Sequence, residues 1–177
     1  MNNDFECGIW DRQGACIVAM EDLLPLPLYH RETIPIDYLD PMGHMNIRWY
    51  LMLFDTAAWK FFESLGLDEN YFRSKQEGGF ALKQFIQYFA EVRVGQIVSI
   101  RTRFIDRSKK RFHVMHFMTN DTTGQLSASL EVLGTYADLK LRRSAPIPSE
   151  IKEKMDAQLE LDRKLSWDPP LCGVIHV

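Results

Sequence analysis

Between Asn46 and Gly66 the chain reads N-I-R-W-Y-L-M-L-F-D-T-A-A-W-K-F-F-E-S-L-G. Trp49, Tyr50, Leu53, Phe54, Ala57, Ala58, Phe61, Phe62 and Leu65 recur at spacings of one, three and four, which is a helical period. Leu51 and Met52 widen the stripe. A helix apolar on most of its sides is mostly surrounded by protein, so the rest of the chain must supply a broad apolar surface for it. Asn46 suits the N-cap, and Gly66 sits where a left-handed C-cap residue belongs. The pattern predicts a helix over 47–65.

The surface follows in sequence. The stretches 78–90, 96–106, 111–119 and 126–138 are rich in β-branched and aromatic residues. In the second, Val98, Ile100, Thr102 and Phe104 alternate with Ser99, Arg101 and Arg103. Gly95, D-R-S-K-K at 106–110 and N-D-T-T-G at 120–124 punctuate these runs as hairpins. Gly134 predicts a bulge in the last strand. R-E-T-I-P-I at 31–36 reads as a first strand, and Pro35 restricts it to an edge or an end. Ser149 opens a second, amphipathic helix, and the tail from residue 165 is irregular. Helices on one face of an antiparallel sheet give an α+β domain. The expected division is an arm at 1–29, the domain proper at 30–146, and a helix and tail at 147–177 packed on it.

Bulk properties narrow the function. A net charge of −3 gives no basic field for nucleic acid. Cys7, Cys16 and Cys172 are few and far apart, which favours free thiols in a reducing compartment. Neither a signal-type apolar core nor a run of about 18 apolar residues is present, so a cytoplasmic protein with no membrane association is expected.

Just before the helix, D-Y-L-D-P-M-G-H-M-N-I-R at 37–48 crowds two aspartates, a histidine, an asparagine and a glycine together. By pattern alone this is a turn entering a helix, since Asp before Pro is ordinary turn chemistry. Asn46 is adequately explained as a cap, and Gly43 as a turn residue. His113 and His116 fall on opposite faces of a strand, and His30 and His44 lack metal-motif context, so no metal is expected. Arg101, Arg103, Arg107, Lys109, Lys110 and Arg111 form the most basic stretch, suited to phosphate or to a solvated hairpin tip. Arg142 and Arg143 offer a second such place.

Together, D-x-x-G-H-M-N running into W-Y and an apolar helix, F-A-E-V-R-V-G-Q-I-V-S-I at 89–100, D-R-S-K-K-R-F-H at 106–113 and Y-A-D-L-K-L-R-R at 136–143 resemble a known family. It is the 4-hydroxybenzoyl-CoA thioesterase-like branch of the hot-dog superfamily, in which a curved antiparallel sheet wraps one long helix. The resemblance spans roughly 31–155. Within the family, L-P-L-Y-H-R-E-T at 26–33 and K-K-R-F-H-V-M-H-F point to the betainyl-CoA thioesterase group.

The resemblance implies hydrolysis of acyl-CoA to CoA and a carboxylic acid, without a metal or added cofactor. It implies a homodimer, alone or paired as a dimer of dimers, with strands joined across the two-fold and sites at the interface. It places the catalytic carboxylate at Asp40 rather than Asp37, with His44 and Asn46 beside it. Gly43, Tyr50, Lys83, Phe85, Lys110 and Arg111 become candidates for substrate contact. The helix N-terminus, with unpaired amides, suits an oxyanion. The betainyl-type pattern implies an acidic residue and a histidine where Lys83 and Phe85 stand here. Lys83 would repel a cationic acyl group, point away from it, or meet an acyl carboxylate. A hot-dog hydratase or dehydratase and a non-catalytic acyl-CoA-binding module are the alternatives.

Overall fold

The computed structural model describes residues 18–177. Residues 1–17 of the expected arm, with Cys7 and Cys16, lie outside them. Along the chain come α1 (Met20–Leu23), β1 (Leu28–Thr33), a 3-10 turn (Ile36–Tyr38), α2 (Ile47–Ser64), α3 (Glu69–Lys75), β2 (Glu77–Tyr88), β3 (Ile97–Arg107), β4 (Arg111–Asn120), β5 (Gln125–Asp138), β6 (Arg143–Ser144) and α4 (Ser149–Asp162).

The apolar helix forms where its period places it. The Asn46 side chain accepts from the Arg48 amide at 3.2 Å, which caps the first turn. At the other end Gly66 has φ +88°. Its amide donates to Glu63 O and that of Leu67 to Phe62 O, closing a Schellman motif. Leu53, Phe54, Ala57 and Phe61 are fully buried against the sheet.

The sheet is antiparallel in the order β1-β3-β4-β5-β2, with β6 on the end of β5. Its curled inner face holds α2, so the fold is the α+β hot dog. Inward residues keep strict alternation: Val98, Ile100, Thr102 and Phe104 on β3, then Phe112, Val114, His116 and Met118 on β4. Ile151, Met155 and Leu159 of α4 join the same core.

Four features differ from expectation. The first strand is Leu28–Thr33, because the chain turns into the 3-10 segment immediately after Pro35. A short helix, α3, also forms; Asp68 caps it by accepting from the Tyr71 amide at 2.7 Å. The sheet does not fully enclose α2, so Leu51 and Trp59 stay about half exposed on its β2 side. Finally, the irregularity at Gly134 lies on the partner strand. Ala81 pairs with Gly134 and Lys83 with Leu133, so Leu82 is the extra residue. Gly134 is needed for space, since a Cβ there would lie 2.1 Å from Phe112 Cε2. Gly134→Ala should therefore cost roughly 1–3 kcal/mol in a urea unfolding titration. Adding Phe112→Leu should recover part of that loss.

The outer face of the sheet is covered by both described ends of the chain. Leu23 and Leu26 pack on Met115 and Phe117, with Trp167 from the tail. Arg103 donates to Trp167 O at 2.7 Å and lies over the indole ring. Glu131, fully buried, accepts from the Cys172 amide at 2.7 Å and lies 2.8 Å from His113 Nε2. These partners explain how polar outward residues can be buried. No helix among the described residues is long and apolar enough to cross a membrane.

Candidate active site

The loop before α2 is closed on itself. Asp40 N donates to His44 O, and Gly43 N to Asp40 O, both at 3.0 Å. Gly43 sits at φ +84°, a conformation costly for any residue with a Cβ. Asp40 Oδ1 accepts from the Met42 amide at 2.8 Å and lies 3.1 Å from His44 Nδ1. The carboxylate is only 10% exposed, and its Oδ2 has no protein partner among the described residues. One oxygen is thus tethered and the other is left unpartnered. The loop is fastened to the body by Met45 N on Val92 O and Asn46 N on Tyr38 O. Tyr38 stacks flat on Trp49, ring centroids 3.9 Å apart.

Asp40, His44, Gly43 and Asn46 are thereby gathered at the N-terminus of α2. The Ile47 amide, first of the helix, has no acceptor among the described residues. A tethered carboxylate beside an unpaired helix-end amide can activate or deliver a nucleophile next to an oxyanion donor.

A cavity of about 130 Å³ lies between α2 and the β5–β2 side of the sheet. Leu51, Asp55 and Trp59 stand at its exposed side, and Phe54, Phe112 and His116 lie deeper. Leu51 is four residues into α2 from Ile47, which is about 6 Å along the axis, so the cavity begins about one turn from the loop. Asp37, by contrast, is exposed in the 3-10 turn.

Residues 34–155 match the model of the thioesterase-like superfamily. The chain belongs to that superfamily. It is 28% identical over 140 residues to a betainyl-CoA thioesterase of Pseudomonas aeruginosa, covering 79% of this chain and 87% of that one. It is 25% identical over 174 residues to an L-carnitine dehydrogenase/betainyl-CoA thioesterase of Rhizobium meliloti, covering 98% of this chain but only 34% of that longer one. A Staphylococcus aureus protein solved in complex with CoA superposes with TM-score 0.77 at 22% identity, covering 86% of this chain and 96% of that one. The chain is an acyl-CoA thioesterase.

The other substrate candidates of this thioesterase are dispersed. Tyr50 is in the core, edge-on to Tyr88 at 5.1 Å, and burial pushes its hydroxyl up to about 12. It does not line the cavity. Neither do Lys83 and Phe85: they pair with Leu133 and Glu131 on the outward face, while Gln84 pairs with inward Val132 and does line it. The open question of Lys83 is answered by register: it points away from the cavity.

Of the basic stretch, Arg101 is bound to Leu26 O, Arg103 to the tail, and Arg107 forks onto Asp156. Lys109, Lys110 and Arg111 are exposed, with no ion pair among the described residues. They lie at the β3–β4 hairpin, at the end of the sheet away from the Asp40 loop. Ten-residue β4 separates the two ends by roughly 30 Å. Likewise, no group of three metal-ligating side chains occurs among the described residues.

The cavity lining was not named in the sequence, and His116 and Phe72 are two examples of it. In the sequence His116 stands out only as a metal candidate, although its phase with Phe112, Val114 and Met118 marks it as inward-facing. Phe72, on the unpredicted α3, also lines the cavity.

Proposed function

We propose that the thioesterase hydrolyses acyl-CoA at a site shared between two subunits. Asp40 of one subunit acts as general base or nucleophile, and Lys110 and Arg111, with Lys109, hold CoA phosphates from the other. The observation that carries this reading is Asp40 itself, tethered through one oxygen and free at the other, beside the unpaired Ile47 amide. His44 positions the carboxylate. Asn46 caps the helix and offers its side chain to the attacking water. The helix-end amide receives the oxyanion as the thioester carbonyl becomes tetrahedral. Collapse of that centre expels the CoA thiolate, and no added cofactor is required.

The two-subunit arrangement follows from the edge of the sheet. β2 is a twelve-residue edge strand with Phe80, Leu82, Phe85 and Tyr88 all more than a third exposed. A long, apolar, unpaired edge is a template for another strand. Isologous pairing of β2 with its copy is antiparallel about a two-fold. It sets the Glu77 end of one strand beside the Tyr88 end of the other. The Glu77 end adjoins the Lys109–Arg111 hairpin, and the Tyr88 end adjoins Tyr50 and the Asp40 loop. Pairing therefore brings the basic tip of one subunit toward the carboxylate of the other.

Mixing two variants tests this. Asp40→Asn and the double variant Lys110→Glu/Arg111→Glu should each be nearly inactive in thiol release. A mixed dimer should regain one working site, because it unites an intact Asp40 with an intact hairpin from the other chain. If unfolding and refolding the two together restores no activity, the hairpin does not act across the interface.

A further inference from the structure

The Asp40 loop is the tip of a short ladder, and the base of that ladder is Tyr38. Tyr38 O accepts from the Asn46 amide at 2.9 Å, Leu39 bridges to Met45, and Asp40 N donates to His44 O at 3.0 Å. One leg carries Asp40 just beyond Tyr38, and the other runs through Asn46 into α2. Whatever fixes Tyr38 therefore sets where the Asp40 carboxylate lies against the Ile47 amide.

Tyr38 is held from two sides. Its ring lies flat on Trp49 in the first turn of α2, with centroids 3.9 Å apart. Its hydroxyl donates to Glu32 Oε1 at 3.0 Å. Burial, and after it the Glu32 carboxylate, push that hydroxyl up, so it stays a donor at neutral pH.

Glu32 stands where a core residue would be expected. On β1 it pairs with Val98, and His30 pairs with Ile100. Paired residues share a face of the sheet, so both lie on the inner face, partly buried. A carboxylate there needs partners, and both of its oxygens have one. Oε2 lies 2.9 Å from His30 Nε2, and His30 Nδ1 lies 3.3 Å from Lys60 Nζ on α2. An ammonium group can only donate. Nδ1 is thus the acceptor, Nε2 carries the proton, and His30 donates to Glu32. The bonds run from Lys60 to His30, from His30 to Glu32, and from Tyr38 to Glu32, tying the far half of α2 to the base of the loop.

We propose that Tyr38 is a positioning residue for Asp40, and that Glu32, oriented by His30 and Lys60, holds Tyr38 in place. The proposal rests on the reading of Asp40 as the catalytic carboxylate.

Tyr38→Phe removes one hydroxyl and keeps the ring that stacks on Trp49. It should lower kcat for thiol release about ten- to a hundredfold and leave KM unchanged, because misplacing a reacting group costs rate on this scale. Glu32→Gln has one oxygen for two donors. It should lower kcat no further than Tyr38→Phe, and the double variant should match Tyr38→Phe alone. A Glu32→Gln loss that adds in full to that of Tyr38→Phe overturns the link between them.

A cycle with Asp40 separates positioning from folding. In an Asp40→Asn background, Tyr38→Phe should cost less than about twofold, since no carboxylate is left to place. The same loss in both backgrounds overturns the proposal, because Tyr38 then serves the fold alone. Wild-type kcat in Tyr38→Phe overturns it too, as does a loss that falls on KM instead. Hydrogen exchange at the Asp40 and Asn46 amides reads the ladder without turnover. It should quicken about two- to tenfold in Tyr38→Phe, and unchanged exchange overturns the proposal. If Asp40→Asn alone is as active as the wild type, the catalytic reading fails and the proposal falls with it. An inactive Asp40→Asn beside a fully active Tyr38→Phe overturns the positioning role alone.

Discussion

Replacing Asp40 by Asn should lower kcat for thiol release by about a hundred- to ten-thousand-fold, the range typical of losing a positioned general acid–base group. The substitution isolates chemistry from structure. Asparagine keeps an oxygen where Oδ1 accepts from the Met42 amide, so the turn at Pro41 and Gly43 should persist. What it removes is the charge and the free second oxygen. KM should change little, because Asp40 lies in the loop and not in the wall of the cavity. Steady-state kinetics over a broad panel of acyl-CoA thioesters checks this. Equal rates for the variant and the wild type would remove Asp40 from the mechanism. Retained CoA binding by a wild type that turns over nothing in the panel would favour a binding module. Hydration of enoyl-CoA would favour a hydratase.

The second large effect concerns stability. His116 in the folded protein has its pKa lowered from 6.5 to about 4 by burial. In the unfolded chain it titrates normally. Between these two values the unfolded chain takes up a proton that the folded chain does not. Acid therefore favours unfolding through this group: its stabilising contribution is full above about pH 6.5 and is lost as pH falls toward 4. A shift of this size corresponds to roughly 3 kcal/mol. Urea titrations of the wild type and His116→Asn across pH 7 to 4 should converge or cross, because other titrating groups cancel in the difference. A constant difference across that range would mean that His116 titrates alike in the folded and unfolded chains.

The helix and its caps were legible because they depend on local rules. Asn46 and Gly66 act within a few residues of themselves, and period alone identifies α2. The strands were legible for the same reason, with turns at 106–110 and 120–124 setting their phase. α3 was not, because a helix of seven residues has too few positions to display a period. The Gly134 reading failed differently. A glycine in a strand signals either a bulge or a close approach, and only the ring of Phe112 from the neighbouring strand decides between them.

The candidate site residues divide along the same line. Asp40, Gly43, His44 and Asn46 are adjacent in sequence, so one motif names all four. The fate of Lys83 could not be read that way. The insertion of Leu82 shifts the phase of β2, and pairing with Leu133 then turns Lys83 outward. Arg101, Arg103 and Arg107 looked like Lys110 and Arg111 in sequence. They differ only in what the fold brings to them: Leu26, Trp167 and Asp156 are each at least 49 residues away in the chain. The sequence by itself determined the helix, the strand order along the chain and the turn that holds Asp40 before the helix, since each is encoded by neighbours. The tertiary structure alone decided which side chains reach the cavity, because that depends on strand register and on contacts between distant segments. It is also what left His116 Nε2 buried with no partner among the described residues.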